Sequence, residues 1–218
     1  MERSFLFNDV DTWCDWNLIL TAKDLTPPEA KTYHVDIDGM DGTIDLSESL
    51  AGEVRYKNRT LSASFWTDYG DRKEREELIA GITSALHGKK VKITDPDDSE
   101  HYLYGRVKIK SQKNILPYAE IAIEAECEPW RYAISETDRR VDVDSDDPID
   151  VVINNNGVKT LCPVLTVKGS AIVVHNGIST PLLDGSYQIS DIKLRQGVNV
   201  VRVSGHGSVV FTYTEAIL

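Results

Sequence analysis

Cysteine is scarce in this sequence. The 218 residues include three cysteines, Cys14, Cys127 and Cys162, which are widely spaced and form no Cys-x-x-Cys pair. An odd, sparse set of this kind argues against a disulfide framework and against a common type of zinc site. We therefore expect three small buried apolar side chains in a protein made in a reducing cytosol.

Long apolar runs and an excess of basic residues are also missing. No run of about 18 apolar residues is present, and the first residues do not form a basic segment followed by an apolar one. The sequence therefore predicts neither a membrane span nor a secretory signal. With 24 basic and 35 acidic residues, the net charge is −11. This balance argues against duplex DNA or an anionic membrane as the main partner.

The motifs of common enzymes are absent as well. The sequence contains no Gly-x-Ser-x-Gly elbow, no His-Glu-x-x-His pair and no Gly-x4-Gly-Lys-Ser/Thr loop. Asp142-x-Asp144-x-Asp146 imitates the start of a calcium-binding EF-hand loop, but Asp147 stands where glycine is needed and Ile153 where glutamate is needed. We predict a protein that is not an enzyme, with no catalytic residues, no cofactor and no metal ligands.

Most of the chain has the alternating pattern of β-strands. Ala119–Cys127 places apolar residues at odd positions and glutamates at Glu120, Glu124 and Glu126, as in a strand with one buried face. One amphipathic helix is predicted over Asp71–His87, with acidic residues in its first turns and Gly88 as a stop. Further strands of this half are predicted at Tyr33–Ile37, Gly42–Leu46, Thr60–Trp66, Lys89–Ile93 and Tyr102–Lys110.

Acidic residues crowd the stretch before Pro148, which we interpret as a solvated linker over residues 136–148. It separates a first domain, residues 1–135, from a second, residues 149–218. In the second domain, Asn176-Gly177 predicts a hairpin, and Gly205-His206-Gly207 indicates positive φ angles or a tight reversal. Strands are predicted there at Ile149–Asn154, Pro163–Gly169, Ala171–His175, Ser186–Ser190, Val198–Ser204 and Ser208–Thr214.

A series of short motifs runs along the chain. The first half contains Phe5-x-Phe7-Asn8-x-x-Asp11, Asp36-x-Asp38-Gly39, Tyr56-x-Asn58-Arg59, Leu61–Trp66, the helix, Leu86-His87-Gly88-Lys89-x-Val91-x-Ile93 and Tyr102-x-Tyr104-Gly105-Arg106-Val107. The second half contains Asn156-Gly157, Thr160-x-x-Pro163-x-Leu165 and Leu194-x-x-Gly197-x-Asn199-x-Val201. In this order they resemble the distal tail proteins of siphophages (the Dit family of the baseplate or tail-tip hub). The first half is similar to their N-terminal domain and the second to the galectin-like β-sandwich that ends them.

The resemblance implies a mainly β fold: an N-terminal β-sandwich or barrel-like domain with one α-helix, then a C-terminal galectin-like β-sandwich. It implies a structural protein of the virion, made in the host cytoplasm and placed at the tail tip. It also implies a hexameric ring that joins the tail tube to the hub and lets DNA pass without specific binding. The implied partners are the tail tube protein, the tail-associated hub protein, the tape-measure protein and receptor-binding proteins.

Ring formation requires surfaces that close head to tail. Trp13, Trp16 and Trp130 flank predicted strands and are our candidates for subunit contacts, although the same side chains could fill the core of their own domain. Residues 1–133 carry 17 basic and 25 acidic residues, a net charge of −8 that would permit an acidic lumen.

Two other functions stay open at this point. One is a carbohydrate-binding protein that acts through the C-terminal sandwich, and the other is a cell-wall hydrolase, which has no motif in its favour. A tail tube protein would also be rich in β-structure, but the second sandwich favours the distal tail protein.

Overall fold

The computed structural model describes residues 3–49 and 51–218, and the chain divides into two compact units. Unit 1 comprises the chain up to Arg131 together with Leu218, and unit 2 comprises Tyr132–Ile217. The described residues are mainly β-structure with one helix, which confirms the predicted fold class.

The elements of unit 1 are β1 (Leu6–Phe7), β2 (Val10–Asp11), β3 (Ile19–Leu25), β4 (His34–Asp36), β5 (Thr43–Asp45), β6 (Arg59–Thr67), α1 (Arg72–Leu86), β7 (Lys90–Asp95), β8 (Asp98–Ile115) and β9 (Tyr118–Cys127). Strand β10 (Arg131–Ala133) begins where unit 1 ends. The elements of unit 2 are β11 (Thr137–Asn155), β12 (Val164–His175), β13 (Ile178–Leu182), β14 (Gly185–Gln188), β15 (Gly197–Tyr213) and β16 (Ala216–Ile217).

Unit 1 is built on an antiparallel sheet with the strand order β2-β1-β7-β8-β9-β6-β3. The sheet curls around its apolar face. Phe5, next to β1, meets Phe65 of β6 edge to face with ring centroids 6.1 Å apart, although three strands separate β1 from β6. Three strands also separate β7 from β3, and yet Asp95 of β7 forms an ion pair with Lys23 of β3. The unit is therefore barrel-like around one core.

Helix α1 packs Ile82 and Leu86 into that core. Its start is fixed by a capping box, in which the Asp71 carboxylate accepts from the Glu74 N–H at 2.9 Å and the Glu74 carboxylate accepts from the Asp71 N–H at 2.6 Å. Gly88, with φ +76°, follows the C-cap residue His87. The helix predicted over Asp71–His87 is thus confirmed, as is its stop at Gly88.

Unit 2 is a sheet of long strands in the order β11-β15-β12-β13. The first half of β12 pairs with β14 and its second half pairs with β13. Buried residues from both halves of β15, Val201 and Phe211 among them, share one core, so the sheet curves until one face meets itself. The predicted hairpin is confirmed, because Asn176 (φ +49°) and Gly177 (φ +80°) join β12 to β13.

The acidic segment is not a linker. Residues 137–145 lie in β11 and pair with residues 205–213 of β15, after which the register shifts before Ile149. Val141 and Val143 face the core while Asp142 and Asp144 point to solvent, so the negative charge occupies the outer face of a strand. The boundary between the compact units lies after Arg131 rather than in the acidic stretch.

The predicted reversal at Gly205-His206-Gly207 is also wrong. These residues continue through the middle of β15, where Gly205 (φ +128°) faces Ala171 and Gly207 (φ +138°) faces Gly169. A Cβ atom on Gly207 would lie 1.9 Å from the Lys168 carbonyl oxygen. The glycines therefore allow the backbones of two strands to approach closely, and they do not form a turn. Gly169 likewise lies within a strand and does not end one, so the two strands predicted on either side of it form the single strand β12.

The cysteines differ in exposure. Cys127 is buried, and burial raises the pKa of its thiol to about 12. Cys162 is partly buried, whereas Cys14 is exposed in the turn after β2. The expectation of three buried side chains is therefore wrong for Cys14. The negative charge of Asp11, followed by partial desolvation and the charge of Asp15, raises the pKa of the Cys14 thiol.

Candidate functional site

The three candidate tryptophans lie in different environments. Trp13 is 37% exposed in a turn that Asp11 holds rigid, since the Asp11 carboxylate accepts from the backbone N–H groups of Trp13 (2.8 Å) and Cys14 (2.9 Å). Partial burial alone would raise the pKa of Asp11, but these hydrogen bonds and one from Ser4 hold that pKa below its ordinary value. The turn therefore presents Trp13 outward on a fixed backbone.

Trp16 and Trp130 contact their own chain. Trp16 packs against the core of unit 1, and its ring lies 6.5 Å from that of Phe7. Trp130 meets Tyr56 edge to face with ring centroids 5.5 Å apart. Both side chains are partly buried, which leaves Trp13 as the most exposed of the three.

A long excursion between β3 and β6, residues 26–58, stands apart from the core; we call it the arm. None of its described residues, 26–49 and 51–58, is buried. Strands β4 and β5 form a two-stranded hairpin within it, separate from the main sheet. Large apolar side chains of the arm face solvent, including Tyr33 (63% exposed), Ile37 (48%) and Met40 (47%). A hairpin of two strands is marginally stable in water, so this arm lacks the packing that its apolar residues would need.

The hairpin is strongly acidic. Residues 34–48 contain Asp36, Asp38, Asp41, Asp45 and Glu48, with no lysine or arginine. At its base, Ser47 donates to the Asp45 carboxylate from its hydroxyl and from its backbone N–H, and these bonds hold the pKa of Asp45 below its ordinary value. Outward positions of β7 and β8 carry basic residues, at Lys90, Lys92, Arg106, Lys108 and Lys110. Of these, Lys90 pairs with Glu128 and Lys110 pairs with Glu124.

An open groove of about 600 Å³ lies on the outer face of the unit 1 sheet. Its floor is a row of small residues across three neighbouring strands, where Ser64 of β6 faces Ala122 of β9, which in turn faces Ser111 of β8. The next row is large and polar, with Trp66, Glu120 and Lys113 in register, and it forms one wall. Tyr118 extends that wall and meets Trp66 edge to face at 6.4 Å.

A cluster of titratable groups lies near the start of β8. The His101 imidazole is 2.8 Å from one Asp98 oxygen, and the Arg131 guanidinium donates to the other at 3.1 Å. Burial opposes ionisation of Asp98, but its bond with His101 and the charges of His101 and Arg131 outweigh it and hold the pKa of Asp98 below its ordinary value. The adjoining cavity measures about 30 Å³, space for about one water molecule, so the cluster ties strands together and offers no room for a substrate.

The strands predicted at Tyr33–Ile37 and Gly42–Leu46 are β4 and β5 of the arm, but neither the exposure of the arm nor the groove was predicted from the sequence. The groove depends on which residues of three strands face one another, and the exposure of the arm depends on which side chains the rest of unit 1 leaves uncovered. Across residues 3–49 and 51–218, no group of three or more His, Cys, Asp or Glu side chains is placed to hold a metal ion. In the same residues, no helix has the length and apolar character needed to cross a membrane.

Comparison with known proteins informs the fold of the chain. No protein-family model matches the sequence, and no curated protein matches it. Among solved structures, the chain is similar to the Dit protein of SPP1, described as a paradigm of the hub adsorption apparatus in phages that infect Gram-positive bacteria. The TM-score is 0.73 with 14% sequence identity, and the similarity covers 100% of both chains. The predicted resemblance is thus confirmed at the level of the fold: along its whole length, this chain has the fold of a phage hub protein of the distal tail.

Proposed function

We propose that the chain is a structural subunit of a phage tail tip, and that copies of it close into a ring between the tail tube and the hub. The observation that carries this proposal is the similarity to the SPP1 Dit protein over the full length of both chains. A single similar domain would support the fold of one half only, whereas here both units and their order agree.

The arm supports assembly with copies of the same chain. An extended segment without a buried residue gains stability only if another surface covers it. Its acidic hairpin is opposite in charge to Lys92, Arg106 and Lys108 on the outward face of β7 and β8, so the arm of one subunit fits that face of the next. A contact between two different patches of one chain is head to tail, which is the type that closes rings. We propose the arm as the main subunit contact and Trp13 as a second one.

The remaining features of the proposal follow from the ring. Six subunits would surround a lumen through which DNA passes, and the net charge of −8 on residues 1–133 would keep DNA from adhering to it. The tail tube, hub and tape-measure proteins would be neighbours of unit 1. Unit 2, which we assign to the galectin-like class, would offer attachment points for receptor-binding proteins. The protein would act without catalysis, cofactor or metal.

The positions of the aromatic side chains in unit 2 do not favour sugar binding by that unit. The aromatic side chains Phe211 and Tyr213 are buried, and Tyr187 packs against the core. None of these three rings forms an exposed platform of the kind that sugars stack on.

Imaging of the purified full chain by negative-stain electron microscopy tests the proposal. Class averages are expected to show rings with a central opening and six-fold symmetry, either single or stacked in pairs. Particles of the size of one 24.4 kDa chain, without rings at any concentration imaged, would contradict it.

A further inference from the structure

The groove on the outer face of the unit 1 sheet carries polar groups that the fold leaves unused. Within the described chain, the hydroxyls of Ser64, Ser111 and Tyr118 have no hydrogen-bond partner, nor has the indole N–H of Trp66. Lys113 and Glu120 form only a loose ion pair, with 3.7 Å between nitrogen and oxygen. Polar groups converging on one concave surface beside aromatic rings are typical of a ligand site.

Two β-bulges shape this surface. The register between β3 and β6 shifts at Thr21, and that between β8 and β9 shifts at Lys110. Thr21 donates from its hydroxyl to the Ser64 carbonyl oxygen at 2.9 Å, which closes one end of the small-residue row. On the far side of the floor, Lys110 pairs with Glu124 at 3.1 Å, one row beyond the residues that line the groove. β-Bulges change the direction of side chains and are frequent beside functional sites, and here one bulge lies at each edge of the groove.

The surroundings exclude two classes of ligand. The floor strands β6 and β9 are paired on both sides, so no backbone edge is available for a peptide to add as a strand. The lining has one lysine beside one glutamate, a neutral pair that gives a phosphate or nucleic acid no net attraction. Recognition must therefore come from side-chain hydrogen bonds and from the aromatic wall.

We propose that this groove binds a neutral saccharide of one or two sugar units. The Trp66 ring offers an apolar face for the C–H side of a sugar ring. The unpaired hydroxyls, with Glu120 and Lys113, provide donors and acceptors for sugar hydroxyls. The volume of about 600 Å³ lies within the range of roughly 300–1,000 Å³ that is usual for small-ligand sites. The site belongs to unit 1 alone and does not depend on ring formation.

Saturation-transfer NMR on the full chain tests this with four probes: maltose, cellobiose, lactose and N,N′-diacetylchitobiose. At least one disaccharide is expected to receive saturation at millimolar concentration. Ala122→Leu fills the floor and is expected to weaken its binding at least about tenfold. Ser62→Leu, on the same outward face of β6 but outside the groove lining, is the matched control and should leave binding unchanged.

A second variant distinguishes loss of saccharide binding from misfolding. Ser64→Ala with Ser111→Ala removes two hydroxyls without adding volume, and should weaken binding several-fold while the circular dichroism spectrum stays unchanged. Absence of binding for all four probes would overturn the proposal, as would binding insensitive to Ala122→Leu. Protection of the groove by another protein of the tail, without saccharide binding, would assign it to a protein contact instead. A normal ring with no sugar binding would refute the site while leaving the proposed function intact.

Discussion

Replacing residues 27–58 by a short Gly-Ser-Gly linker is expected to convert the ring into monomers while unit 1 stays folded. The replacement is geometrically simple, because β3 and β6 are antiparallel neighbours with Leu25 opposite Leu61, and Thr26 donates from its N–H to the Thr60 carbonyl at 3.0 Å. The described residues removed include none that is buried. Light scattering coupled to size-exclusion chromatography measures the change of mass.

The stability of the shortened chain separates loss of assembly from loss of folding. Excision removes the edge-to-face contact between Tyr56 and Trp130 and shortens a loop, so the free energy of unfolding should change by no more than about 2 kcal/mol. All four tryptophans lie at or before position 130, so urea unfolding followed by tryptophan fluorescence reports on unit 1.

A matched pair of point variants sharpens the comparison. Ile37 in the arm is 48% exposed and Ile178 on β13 is 47% exposed. Ile37→Lys places a positive charge opposite the basic positions of β7 and β8 and should dissociate the ring, whereas Ile178→Lys should leave it intact. Dissociation by Ile178→Lys alone, or a ring that survives removal of the arm, would show that the subunits join elsewhere.

Gly207→Ala is expected to destabilise unit 2 by on the order of 3–5 kcal/mol, which combines backbone strain with overpacking. At φ +138° the new residue would adopt a conformation that few residues other than glycine tolerate, and its Cβ atom would lie 1.9 Å from the Lys168 carbonyl oxygen. Because backbone fills that space, no side chain can move aside, and β12 must separate from β15. Such a loss is a large part of the roughly 5–15 kcal/mol that stabilises a domain.

Gly177→Ala is the control for this variant. Gly177 also has a positive φ, +80°, but no atom lies within 4 Å of the position of its Cβ. Its replacement should cost about 1–2 kcal/mol, the strain of the left-handed conformation alone. Unfolding in urea, followed by far-ultraviolet circular dichroism, measures both. Equal effects of the two substitutions would mean that the strands at Gly207 are not in close contact.

The sequence predicted well those features whose causes are local. The acidic residues of the first turns and the stop at Gly88 lie within or beside the helix they define, so their pattern was sufficient. The alternation along β9 predicted its buried face for the same reason. The hairpin at Asn176-Gly177 was recognisable because its turn depends on two adjacent residues.

Where the sequence misled, a distant part of the chain decided the outcome. The density of charge around Val141-Asp142-Val143-Asp144 indicated a linker, although these residues alternate like a strand. Their pairing with β15 makes them part of β11. Gly205 and Gly207 have the chemistry of a turn, yet the reason for them is the backbone of β12. The groove floor of Ser64, Ala122 and Ser111 exists only once three strands are in register.

The tryptophan candidates illustrate the same limit. Sequence placed Trp13, Trp16 and Trp130 near strand ends but could not tell a core side chain from a contact. In the structure, Trp16 packs against the core and Trp130 meets Tyr56 edge to face, while the Asp11 turn holds Trp13 outward. An exposed arm without a buried residue is a stronger indication of an interface than any single aromatic.

Native mass spectrometry of the purified full chain, at micromolar concentration, counts the copies in the assembly. The chain has a mass of 24.4 kDa, and we predict an assembly of six copies or two such assemblies stacked together. A strict monomer, at every concentration measured, would contradict the proposal that this chain forms the ring of a phage tail tip by itself.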